Sequence, residues 1–142
     1  VAVIFHETRE VAEKNRELKE ALKKLGRDDS RPPGTLAAVA VADCSGAFWP
    51  FTRIWRSKLI ENSKKEGLTI YGDWDGTMRS DYGMKSNESN VIVVDGTGII
   101  RYSKAGKITG QGINELQDIL KKLVSETART LPKTGKRVEK SL

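Results

Sequence analysis

Two short runs constrain this chain more than anything else in it: Val1–His6 (VAVIFH) and Leu36–Ala42 (LAAVAVA) are apolar without alternation. An alternating strand keeps one wet face, whereas a continuous apolar run of this length suits a strand buried on both faces. Between them, Arg9–Leu25 sets Val11, Leu18, Leu22 and Leu25 among Glu and Lys residues. That spacing predicts a helix with one apolar stripe, stopped by Gly26. The polar, proline-rich Arg27–Gly34 reads as a loop. Two buried strands joined by a helix lie parallel, with a right-handed crossover.

Downstream, Asp43–Trp49 reads as a loop, and Pro50 suits the first position of a second helix. That helix shows Phe51, Ile54, Trp55 and Leu59 on one face and ends at Gly67. Leu68–Tyr71 is a brief strand, and Gly72–Ser89 is polar, with one helical turn near Met78–Tyr82. Asn90–Asp95 (NVIVVD) and Ile99–Ser103 (IIRYS) flank Gly96-Thr97-Gly98, the signal of a β-hairpin. Ile113, Leu116, Leu120 and Leu123 mark a closing helix with Thr109 as its N-cap. This order predicts an α/β domain over residues 1–126. Its mixed sheet ends in a C-terminal hairpin, with helices on both faces, and it matches a thioredoxin-like three-layer sandwich. Residues 127–142 are expected to be a basic, disordered tail.

Charge argues for the same division. The net charge is +6, but Arg129, Lys133, Lys136, Arg137 and Lys140 against Glu139 leave +4 in the tail, and the rest of the chain carries only +2. Nucleic-acid binding needs a positive face on the folded body, so it is not expected. No apolar run approaches the roughly 20 residues that span a bilayer, so no membrane insertion is expected. A chain opening on a core strand fits a processed form of a longer precursor, so a missing leader does not place it in the cytoplasm. One cysteine, Cys44, and one histidine, His6, rule out an intramolecular disulfide and a tetrahedral thiolate zinc site. No metal and no cofactor is expected.

Asp73–Asp95 (DWDGTMRSDYGMKSNESNVIVVD), followed by Gly96–Gly106, resembles the second half of peroxiredoxin and TlpA-like domains. Glu13-Lys14-Asn15, Arg56–Lys65 (RSKLIENSKK) and Glu88–Lys107 resemble, more closely still, the YtfJ family of small bacterial thioredoxin-fold proteins. The likeness runs from about Val1 to Val124. It implies a function not yet settled and export to the periplasm. Thioredoxins keep their redox pair where the first strand meets the first helix, which here reads His6-Glu7-Thr8-Arg9, without sulfur. Their cis-proline would fall at Glu88-Ser89, and none of Pro32, Pro33, Pro50 and Pro132 is there. Dithiol exchange therefore has no apparatus. The expected role is binding of a protein or peptide whose identity, like the oligomeric state, the sequence leaves open.

The alternative is single-cysteine chemistry. Ligands collect beyond the carboxyl ends of the strands in an open α/β sheet, which would gather Cys44, Asp43, His6 and Glu7 at one edge. His6 as base, with Glu7 or Asp43 as orienter, could leave Cys44 as a thiolate for peroxide or mixed-disulfide chemistry. Against it, a lone Cys among small residues is more often a buried apolar group. Thr8 and Arg9, at the start of the first helix, could hold an anion, with simple capping the default. Trp49 in its loop is a binding candidate if exposed; core packing is the competing expectation for Phe48 and Trp49, and Phe51 and Trp55 are expected in the core. Asp73-Trp74-Asp75-Gly76-Thr77 looks like the start of a calcium loop. Its glycine stands fourth rather than sixth, and Met84 stands where a bidentate Glu belongs, so it reads as a turn.

Overall fold

The computed structural model describes residues 1–27 and 34–130, which leaves most of the expected loop 27–34 and tail residues 131–142 outside the described residues. Five strands form one sheet in the order β3-β2-β1-β4-β5. They are β1 (Ala2–Glu7), β2 (Ala37–Asp43), β3 (Ile70–Asp73), β4 (Asn90–Val94) and β5 (Ile100–Ala105), with helices α1 (Arg16–Gly26), α2 (Thr52–Glu66), α3 (Thr77–Asp81) and α4 (Gln111–Thr130). β1 pairs in parallel with β2, and β2 with β3; β4 runs antiparallel to β1 and to β5. The sheet is mixed, and the fold is the thioredoxin-like α/β fold expected from the sequence.

Alternation along the strands divides the side chains between two faces. Val3 and Phe5 of β1 and Val91 and Val93 of β4 share one face. There they meet Leu18 and Leu22 of α1 and Ile113, Leu116, Leu120 and Leu123 of α4. Leu18, Leu116 and Leu120 are fully buried, and each such side chain contributes about 1.5–3 kcal/mol by leaving water. The opposite face carries Ile4, Val39, Val41 and Ile92, and at its upper end His6, Asp43, Asp73 and Asn90, as the registers require.

Several boundaries differ from expectation for local reasons. Arg9–Val11 forms only a 3-10 turn, and α1 starts at Arg16, because Asn15 turns its side chain into the protein instead of continuing the helix. Pro50 stands two residues before α2 and follows a cis Trp49–Pro50 peptide bond. Gly67 ends α2 at φ 65, in the left-handed region a C-cap favours. β3 begins and ends two residues later than expected, which brings Asp73 into the sheet. Gly110, not Thr109, directly precedes α4, which runs on through Thr130 into the stretch assigned to the tail. At the hairpin, the Asp95 carboxylate accepts from the amides of Thr97 and Ile99 and from the Thr97 hydroxyl, fixing the turn.

The expected core positions of the second helix are overturned. Phe51 and Trp55 are 46% and 42% exposed, and α2 has no buried residue. Phe48 and Trp49 are also on the surface rather than in the core. α2 leans on the edge strand β3 through polar contacts, with the Ser63 hydroxyl accepting from the Ile70 amide at 3.0 Å. Phe51, Ile54, Trp55 and Ile60 face outward, while Leu59 is half-buried.

Candidate functional site

Two polar clusters occupy the end of the sheet where β1, β2 and β3 finish. They lie on opposite faces, because His6 and Glu7 are neighbours on one strand.

The first cluster gathers His6, Asp43, Asp73 and Arg79. The His6 ring bonds through Nε2 to Asp73 Oδ2 at 2.9 Å, both side chains being almost fully buried. Asp73 also accepts the backbone amides of Met78 at 3.2 Å and Arg79 at 3.0 Å, so it ties the start of α3 to the sheet. Asp43 accepts the Ser45 amide and hydroxyl and the Arg79 guanidinium, the last at 2.9 Å. Burial alone would raise the Asp43 carboxyl. The Ser45 hydrogen bonds and the charge of Arg79 outweigh it and hold Asp43 below the usual carboxylate range. Cys44 follows at 1% exposure, its amide donating to the Asp73 carbonyl. Burial, and then the negative charges of Asp43 and Asp73, push its thiol up to about 11.

The second cluster fills the junction of β1 with the first helical segment. Ser89 donates its hydroxyl to Glu7 Oε1, and Lys19 Nζ donates to Glu7 Oε2 at 2.6 Å and to the Ala12 carbonyl at 2.7 Å. Asn15, fully buried, donates to Ser89 Oγ at 2.7 Å and the Gly106 carbonyl at 3.0 Å, and accepts the Ile108 amide at 2.8 Å. Lys14 pairs with Glu88 at 2.8 Å on the rim, and that hydrogen bond holds the Glu88 carboxyl low. A buried network of this kind, with its polar atoms paired, rigidifies the ground it occupies.

The proposed Cys44–His6–Glu7 constellation is therefore not assembled as one triad. Glu7 points to the other face, and the His6 Nε2 is engaged by Asp73. Among the described residues no hydrogen bond joins the Cys44 thiol to His6. Asp43 does share the His6 face, bound to Ser45 and Arg79. Ser89 is buried inside the second network, and Glu88 lies at its rim. Thr8 precedes the 3-10 turn without a side-chain capping bond, and Arg9 is exposed. Trp49 is 87% exposed. Sequence reasoning missed Asp73, Arg79, Asn15 and Lys19. Extending β3 by two residues places Asp73 two strand positions after Tyr71, on its face, a signal obscured by reading the segment as a turn.

The model of the family described as "Bacterial protein of unknown function (YtfJ_HI0045)" matches residues 1–123. The chain belongs to that family. No curated protein matches this YtfJ_HI0045 member. Among solved structures, StoA from Bacillus subtilis superimposes with a TM-score of 0.54 at 16% identity, covering 82% of this chain and 79% of StoA. At that identity the likeness speaks for the fold alone. Among the described residues, no helix is long and apolar enough to cross a membrane.

Proposed function

We propose that this YtfJ_HI0045 member is a thioredoxin-fold binding module without dithiol chemistry, serving a protein or peptide partner in the periplasm. The observation that carries the reading is the content of the first strand–helix junction. Where thioredoxins keep a thiol pair, Glu7, Asn15, Lys19 and Ser89 form a closed hydrogen-bonded network. The single thiol lies elsewhere, buried and shifted away from the thiolate. A protonated, enclosed sulfur is a poor nucleophile, which weighs against the peroxide or mixed-disulfide alternative. The binding surface proposed is the exposed aromatic segment around Trp49. The periplasmic placement is supported by the family resemblance.

Insulin reduction and peroxide consumption, run with the protein and with Cys44→Ser, test the reading. Both proteins are expected to match the buffer blank in both assays. Turnover by the parent that disappears in Cys44→Ser would replace binding with the thiol reading.

A further inference from the structure

Between α2 and β3 runs a groove of about 290 Å³. β3 is the outer strand, so the groove lies along the edge of the sheet. Leu59, Ile60, Ile70 and Tyr71 give it apolar walls, and Trp74 closes it. A Cβ at Gly72 would stand 2.6 Å from the Trp74 indole nitrogen and 2.8 Å from its Cε2. Only glycine lets that ring lie against the strand, the close approach that a glycine inside a strand permits. The Arg56 guanidinium stands 5.6 Å from the centre of the same ring, within cation–π range.

The charge at this groove has one sign, since no acidic residue lines it. Among the described residues Arg56 has no carboxylate partner, and neither has Arg53, one turn earlier on the same side of the helix. Nearby carboxylates are engaged elsewhere: Glu61 pairs with Lys58 at 3.1 Å, and Asp75 accepts the Thr77 amide at 3.0 Å. The ring contact leaves the guanidinium's fork of donors without an acceptor, and such a fork grips a carboxylate through two hydrogen bonds. Size then decides the form of the ligand. Small-molecule sites enclose roughly 300–1,000 Å³ and bury most of what they hold. An open groove below that range fits one side chain rather than a whole metabolite. We infer that the groove seats one large apolar side chain of an acidic peptide, whose adjoining carboxylates meet Arg56 and Arg53. Helical spacing puts both arginines on a different side of α2 from Phe51, Ile54 and Trp55, so this site is separate from the Trp49 surface and goes beyond the binding reading above.

The test titrates the protein with three capped tripeptides, Glu-Phe-Glu, Gln-Phe-Gln and Glu-Ala-Glu, and follows nitrogen–proton NMR correlations. Glu-Phe-Glu should move the Tyr71 and Gly72 amides and the Trp74 indole N–H saturably, and bind at least about tenfold more tightly than the other two. Arg56→Gln should weaken it about tenfold at an unchanged melting temperature, because the side chain is exposed. Gly72→Ala should weaken it as much, by pushing the Trp74 ring off the strand. Trp49→Ser should bind as the parent does. Equal binding of Gln-Phe-Gln would overturn the role of the carboxylate, and equal binding of Glu-Ala-Glu that of the apolar side chain. Shifts confined to Phe48–Trp55 and lost in Trp49→Ser would overturn the groove and leave the binding reading standing. No saturable shift at about 5 mM peptide would overturn the inference outright. Tighter binding of phenylacetate at the same amides would replace the peptide with a free small carboxylate.

Discussion

Replacing Asp73 by alanine is expected to cost about 3–5 kcal/mol of unfolding free energy, because it orphans three donors at about 1–3 kcal/mol each, with the two amides at the start of α3 at the low end. The carboxylate serves three donors: the His6 ring and the amides of Met78 and Arg79. Its removal leaves the His6 nitrogen at 1% exposure with no acceptor and frees the start of α3. Asp73→Asn keeps the volume and one carbonyl acceptor, so its loss should be smaller, about 1–3 kcal/mol. Urea unfolding followed by circular dichroism checks the pair. A lower midpoint at unchanged slope, ordered Asp73→Ala, then Asp73→Asn, then parent, is the expected result. Less than about 1 kcal/mol lost by Asp73→Ala would mean that the ring and the amides find other partners.

Asn15→Ala should be nearly as damaging. Its side chain links α1 to the segment after β5 by way of the Gly106 carbonyl and the Ile108 amide, and to β4 by way of Ser89. Truncation orphans a buried acceptor and a buried donor at about 1–3 kcal/mol each. Asn15→Asp discriminates packing from hydrogen bonding. It can still accept from the Ile108 amide, yet it presents a carboxylate to the Ser89 oxygen and the Gly106 carbonyl, so it should be no milder than alanine. Hydrogen exchange reads the difference locally: the Ile108 amide should lose protection in Asn15→Ala and retain part of it in Asn15→Asp. Full protection in Asn15→Ala would show that Asn15 is not its acceptor.

Particular residues explain which parts of this molecule the sequence discloses. β1, β2 and the β4–β5 hairpin follow from apolar runs and from a Gly-Thr-Gly turn, because burial on both faces and turn geometry leave a direct mark on composition. The stripe of Ile113, Leu116, Leu120 and Leu123 gives α4 for the same reason. The first helix is legible only from Arg16 onward. Val11 is buried and fits the stripe, so nothing in the apolar pattern reports the break that Asn15 makes. The candidate site is harder still. Asp73 pairs with His6 across β2, 67 positions away in sequence, and Asn15 meets Ile108 at a separation of 93. Long-range polar pairing has no periodicity to read. α2 misleads in the opposite sense: its Phe51, Ile54 and Trp55 spacing is that of a core face, and the structure places that face in water.

The most direct test of the central claim, that this thioredoxin-fold chain does not work through a thiol, is the rate of Cys44 alkylation by iodoacetamide as a function of pH. With the thiol pushed up to about 11 against an ordinary 9.0, the thiolate fraction near neutral pH falls about 100-fold. Burial then slows the reagent further. The account predicts slow native labelling with no inflection below about pH 9, and rapid labelling once denaturant opens the fold. A native midpoint well below the ordinary 9.0 would reveal a stabilised, accessible thiolate and contradict the account.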